Sequence, residues 1–139
     1  MPTRTAKAVW KDTVKKGEGE LELGSGSYKG KYSFASRFEN GTGTNPEELI
    51  GAAHAGCFSM AFSLMLEEAG FTPKSVSTEA SVHLDADKPK ITSIDLRTEA
   101  EVADIDESTF QEIATKAKGG CPVSQALAGV SINLNATLK

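Results

Sequence analysis

Apolar and polar residues alternate along several stretches of the chain, and a period of two is the mark of half-buried strands. Ala6, Ala8 and Trp10 alternate with polar neighbours, Glu20 to Leu23 reads as a short second strand, and Lys31 to Arg37 as a third. Val76, Thr78, Ala80, Val82 and Leu84 mark one long strand; Ile94, Leu96, Thr98, Ala100 and Val102 mark the next. Asp85-Ala-Asp-Lys-Pro between them reads as a hairpin turn. Val130, Ile132, Leu134, Ala136 and Leu138 close the chain as a strand.

Helical spacing interrupts these strands. Asn45 is a good N-cap, with Pro46 at N1 and Glu48 at N3, and Gly70 suits the residue just past a helix end. The helix between them would hold roughly 24 residues and run about 36 Å. A second helix is expected from Glu107 to Lys118, with Phe110, Ile113, Ala114 and Ala117 on one face and Gly119-Gly120 as its stop. A short third begins at Cys121-Pro122 and carries Val123, Ala126 and Leu127.

The first helix is unusual. No charged residue occurs from Leu49 to Leu66, a run near the length of a membrane span. His54, Ser59, Ser63, Gly51 and Gly56 interrupt its apolarity, and acidic pairs flank both ends, which does not suit a membrane anchor. A helix apolar on every side belongs in a core. A small domain has too little sheet to surround one this long, so a second copy of the chain is expected to cover the rest, giving an intertwined homodimer.

Composition narrows the classes. The 139 residues suit a single domain spanning 1–139, and 39% apolar with 24% charged residues describe an ordinary globular protein. A net charge of −4 supplies no basic field for nucleic acid. The segment Met1–Lys7 runs into a strand without the apolar stretch of a signal peptide, so the expected compartment is the reducing cytoplasm.

Two cysteines in such a compartment are free thiols by default. Cys57 sits mid-helix, where burial alone would raise its pKa and leave it inert unless a cation stands close. His54, three residues earlier, is the nearest candidate. Cys121 precedes Pro122 and so occupies a helix N-cap, where a thiol becomes more acidic. These arguments make Cys121 the readier thiolate and leave open which cysteine attacks a substrate. A metal site of His54, Cys57, Cys121 and His83 is poorly supported, because only one close pair exists and His83 should point outward between Val82 and Leu84. A Cys-His hydrolase built on His54 lacks an orienting acid and an oxyanion hole. The loop Gly41-Thr-Gly-Thr precedes a helix, but Glu47 and Glu48 would repel an anion there.

The run Thr44-Asn-Pro-Glu-Glu-Leu-Ile-Gly-Ala-Ala-His-Ala-Gly-Cys57, then Phe-Ser-Met-Ala, and later Ala-Lys-Gly-Gly-Cys121-Pro-Val-Ser124, resembles the OsmC/Ohr family. The ending Leu66-Glu-Glu-Ala-Gly-Phe-Thr-Pro73 is closer to OsmC than to Ohr. The resemblance implies an α+β dimer with two sheets wrapped around long central helices, and a thiol peroxidase without cofactor or metal. It implies Cys57 as the peroxidatic and Cys121 as the resolving cysteine, Arg37 as the cation beside the thiolate, and Glu47 as the acid holding that arginine. The implied partners are a small-molecule hydroperoxide and an external dithiol reductant; dihydrolipoyl proteins serve some relatives.

These residue types suit those roles. Arginine keeps its charge at any working pH, and a carboxylate fork aims its guanidinium. Glu47 and Cys57 are ten residues apart, about 15 Å along a straight helix. Either the helix breaks near Gly51 or the Arg37–Glu47 pair serves the partner subunit's thiol; the second is expected. Phe58, Met60, Phe62 and Phe71 are candidates either for the core or for an apolar substrate pocket. Two other functions stay open beside the peroxidase: a module binding an apolar small molecule with the cysteines as redox sensors, and the His54 hydrolase.

Overall fold

Two antiparallel strands at the N-terminus, β1 (Ala6–Lys11) and β2 (Glu18–Leu23), pair over the alternation read from the sequence, and β3 (Lys29–Tyr32) adds to the far edge of β2. The computed structural model describes residues 1–139. The chain divides into two compact units, Met1–Leu49 and Ile50–Lys139. The first holds the sheet β1-β2-β3 and a short helix, α1 (Phe34–Phe38). Together the units have the expected α+β composition.

The third strand departs from the sequence reading, which carried it through Arg37. It stops at Tyr32 because Ser33 caps a helix instead: the Ser36 N–H donates to Ser33 Oγ at 3.1 Å and the Ser33 N–H donates to Ser36 Oγ at 2.8 Å. This reciprocal box ties down two backbone donors at the helix start. Phe34, which the alternation placed in the strand, and Phe38, just beyond its expected end, are one helical turn apart with ring centroids at 5.0 Å.

The second unit is built on a hairpin of two 13-residue strands, β4 (Pro73–Asp85) and β5 (Lys90–Val102), with β6 (Ser131–Leu138) parallel to β5. Asp85 shapes the turn as expected, its carboxylate accepting from the Asp87 and Lys88 N–H groups. The crossover from β5 to β6 passes through α3 (Glu107–Gly120) and α4 (Pro122–Ala126). Asp106 caps α3, accepting from the Thr109 N–H at 2.6 Å.

The long helix α2 (Pro46–Glu68) runs for 23 residues without interruption through Gly51. Asn45 caps it by accepting from the Glu48 N–H at 2.7 Å, and Gly70 ends it with a φ of 92°. Its length and composition would suffice to cross a membrane, but Phe58, Phe62 and Leu66 are wholly buried in the core of the second unit. There they meet Ile94, Leu96 and Ala100 of β5 and Phe110, Ala114 and Ala117 of α3. Phe62 lies between Phe58 and Phe110, with centroid distances of 5.6 and 5.3 Å. Met60 and Leu64, one turn apart on the same helix, are exposed at 80% and 54%.

Candidate functional site

Cys57 lies in the middle of α2, and Cys121 sits at the joint between α3 and α4. The glycine pair did not stop α3; it continues through Gly120, and the Cys121 N–H still donates to the Ala117 carbonyl at 3.0 Å. The break comes at Cys121, whose ψ of 128° is extended. Pro122 causes it, since a residue before proline is driven out of the helical region. Gly120 faces α2 beside the joint: a Cβ there would stand 2.9 Å from Cε at the tip of the Met65 side chain. The two cysteines are thereby brought together as free thiols with their sulfurs 2.7 Å apart.

Their environments differ. Burial pushes the Cys57 thiol up, the hydrogen bond shared with Cys121 adds to the rise, and the Val123 N–H opposes it. Burial is also the largest influence on Cys121 and pushes it up. Hydrogen bonds from Cys57, from the Ser124 N–H and hydroxyl, and from the Val123 N–H together outweigh it and bring Cys121 below its ordinary value. Cys121, wholly buried, is thus the more acidic member, while the half-buried Cys57 lacks a stabilising cation within its own unit.

His54 does not supply that cation. It is wholly buried, burial lowers its pKa, and its Nε2 lies 2.7 Å from Ser124 Oγ rather than against Cys57. Sequence reasoning missed Ser124 as a participant; its place three residues after the Cys121 cap was the available signal. His83 points outward as expected, with Nε2 at 2.7 Å from Asp95 Oδ2 on the exposed sheet face.

In the first unit, Arg37 and Glu47 form a two-pronged pair: Nε donates to Oε1 and Nη2 to Oε2, each at 3.0 Å. The local fold explains the meeting. The Ser36 hydroxyl donates to the Thr44 carbonyl at 2.7 Å, and Asn45 Nδ2 donates to the Ser36 carbonyl at 3.0 Å, so the end of α1 is laced to the start of α2. Glu47 is buried to 7% exposure, whereas the Arg37 side chain keeps 38%. Its guanidinium also lies 5.3 Å from the Phe38 ring centroid. Beside it Trp10, Val14, Tyr32, Phe34 and Phe38 line an apolar groove of about 220 Å³. Phe58 and Phe62, candidates for a substrate pocket, are core residues with no exposed surface.

The OsmC-like protein family profile matches residues 39–135. The chain is 54% identical over 127 residues to Peroxiredoxin OsmC of Escherichia coli K12, covering 89% of each. It is 31% identical over 101 residues to Organic hydroperoxide resistance protein-like 1 of Staphylococcus epidermidis, covering 69% of this chain and 71% of that one. A crystal structure from Legionella pneumophila, described as an organic hydroperoxide resistance protein OsmC, superposes with a TM-score of 0.77 at 25% identity, covering 99% of this chain and 98% of that one.

Proposed function

The chain belongs to the OsmC family, and on that footing we propose that Cys57 attacks a hydroperoxide and Cys121 closes a disulfide onto it. It is a cysteine-based peroxidase by its likeness to Peroxiredoxin OsmC. The observation that carries the detailed reading is the 2.7 Å between the two sulfurs, from which a disulfide bond of about 2.05 Å needs a shift of less than about 1 Å.

In the proposed cycle the Cys57 thiolate bonds to the distal oxygen of a hydroperoxide, the O–O bond breaks, and an alcohol or water leaves with a proton. The resulting sulfenic acid is attacked by the Cys121 thiolate, and water departs as the disulfide forms. An external dithiol then returns both cysteines to thiols. The groove beside Arg37 favours organic hydroperoxides over hydrogen peroxide, because Trp10, Tyr32, Phe34 and Phe38 offer an alkyl or aryl tail apolar surface next to the cation.

The first step needs a Cys57 thiolate, which its surroundings within the unit oppose. We assign Arg37 as the cation and Glu47 as the acid that aims it. Because α2 is unbroken through Gly51, Glu47 and Cys57 of one chain are separated by about 15 Å of helix. The reading that follows is a homodimer in which the Arg37–Glu47 pair of one protomer serves Cys57 of the other. The exposed Met60 and Leu64 supply an apolar face for such a partner.

Mass spectrometry after one equivalent of cumene hydroperoxide tests the cycle. A Cys57–Cys121 disulfide, about 2 Da lighter than the dithiol form, is the expected product. A chain that stays reduced while peroxide remains unconsumed would sink the reading.

A further inference from the structure

The helix α4 has little of its own to hold it in place. Five residues are too few to keep a helix by internal hydrogen bonds, and Cys121 at its start makes no side-chain cap. Pro122, Gln125 and Ala126 are exposed, and Ser124 is the one residue of this helix that is buried, at 5% exposure. Its Oγ lies 2.7 Å from Nε2 of His54 on α2. The peroxidase cycle as described makes no use of this contact.

The contact has a fixed relation to the sulfurs. His54 stands three residues before Cys57, and Ser124 three residues after Cys121. Two hydrogen bonds about one helical turn apart therefore join α2 to the start of α4. The other bonds at the joint, from the Cys121 N–H to the Ala117 carbonyl and from Gln125 Nε2 to the Gly120 carbonyl, stay within the joint itself. His54 is buried for this one bond. The ring has no exposed surface and its Nδ1 has no partner, so the proton of the neutral ring sits on Nε2 and is donated to Ser124 Oγ. An unpartnered buried nitrogen offsets much of what a single hydrogen bond contributes to stability. What the bond adds is orientation: it sets which face of α4 meets α2, and with that the place of Cys121.

We infer that the His54–Ser124 bond is a clasp that keeps Cys121 beside Cys57 while the disulfide forms, with His54 and Ser124 as positioning residues for that step. The inference rests on Cys57 as the attacking and Cys121 as the resolving cysteine. In the dithiol form the sulfur–sulfur hydrogen bond itself helps to hold the joint. Oxidation removes that help, because the Cys57 sulfenic acid carries an oxygen and the attacking Cys121 has given up its proton. The His54–Ser124 bond is then the hydrogen bond left between the two segments. While it holds, the Cys121 thiolate bonds to the Cys57 sulfur, the S–O bond breaks, and hydroxide leaves to be protonated to water. Proximity kept in this way favours the internal attack over its competitor, a second molecule of peroxide.

That competition supplies the test. Reduced protein is mixed with rising concentrations of cumene hydroperoxide and no reductant. Mass spectrometry then reads the disulfide, about 2 Da lighter than the dithiol, against sulfinic acid at Cys57, about 32 Da heavier. Only chains that have already formed the sulfenic acid are counted, so a variant that is merely less stable, or slower toward peroxide, leaves the ratio unmoved. The peroxide concentration that gives equal amounts is expected to fall about three- to tenfold in His54→Leu, the worth of one hydrogen bond. Ser124→Ala breaks the same bond by a smaller change and is expected to lower it at least as far. With Ser124→Ala in place, adding His54→Leu should change the ratio by less than about twofold, because the bond it would break is already gone. An unmoved ratio in either single variant overturns the inference, as does a His54→Leu effect that keeps its full size in the Ser124→Ala background. A parent that forms no disulfide at any peroxide concentration would instead take Cys121 out of the resolving role, and the clasp with it.

Discussion

Cys57 and Cys121 stand 64 residues apart in sequence and 2.7 Å apart in space, with one on an unbroken helix and the other at a proline-enforced joint between two helices. That arrangement separates their chemical characters. The same hydrogen bond that helps bring Cys121 down pushes Cys57 up. Under the proposed cycle this suits the second thiol for attack on a sulfenic acid, while the first waits for a cation.

Replacing Cys121 by serine should leave the first turnover intact and abolish steady turnover with a dithiol. Without a nearby thiol the Cys57 sulfenic acid persists and is open to a second peroxide. Peptide mass spectrometry should find sulfinic acid at Cys57, about 32 Da heavier than the thiol. Cys57→Ser should lose peroxide consumption altogether. Full turnover in Cys57→Ser would mean the attacking thiol is misassigned.

The pH profile should report the arginine. Thiols lose their proton as pH rises, so the rate of Cys57 oxidation climbs with pH until the thiolate is fully formed. Burial raises Cys57, and removing a cation that offsets this moves the climb further toward alkaline pH. Arg37→Ala should therefore be slower than the parent by about tenfold or more at neutral pH, and should regain much of the difference at high pH. Arg37→Ala and parent curves of the same midpoint would remove Arg37 from this role.

Much of the fold was legible because its signals are local. The capped start of α2 at Asn45-Pro46, the turn at Asp85, and the alternation along β4, β5 and β6 each depend on a few neighbouring residues. The segment Ser33–Arg37 reads as strand but folds as a capped helix, because so short an alternation fits either period and a serine box decides the outcome. The end of α3 was misplaced because Pro122 is a stronger stop than the glycines before it. At the site, the Cys121 cap was legible from Cys-Pro alone. The His54–Ser124 bridge was not, since residues 70 apart in sequence carry no local sign of meeting.

The aromatic stack around Phe62 should dominate the stability of the second unit. Phe62 is wholly buried between Phe58 and Phe110, so Phe62→Ala removes a full ring and leaves a cavity. The expected loss is about 3–5 kcal/mol. Denaturant unfolding of parent and variant measures it through the shift in midpoint at constant slope. A loss below about 1 kcal/mol would mean the site collapses or is less closely filled than the ring distances imply.

The exposed flank of α2 should govern association. Met60 and Leu64 form an apolar strip one helical turn long, and a pair of carboxylates there would have to be buried unpaired in any interface. Met60→Glu with Leu64→Glu should convert a dimer to monomer in sedimentation equilibrium while circular dichroism retains the helical signal. If the double variant sediments with the parent, the interface lies elsewhere.

A site shared between protomers makes a stricter demand. At neutral pH a pure Cys57→Ser dimer should be inactive, lacking the sulfur, and a pure Arg37→Ala dimer should keep about a tenth of parent activity or less, lacking the cation. When the two are unfolded together and refolded, half the dimers are mixed by chance. If Arg37 acts across the interface, a mixed dimer has one site lacking both groups and one site with both. Activity should then recover to about a quarter of the parent. If Arg37 acts within its own chain, every site in a mixed dimer lacks one group, and no activity returns. The uninterrupted run of α2 between Glu47 and Cys57 favours recovery. Refolding each variant alone in parallel sets the baseline, and a mixture no more active than that baseline would return the pair to its own chain.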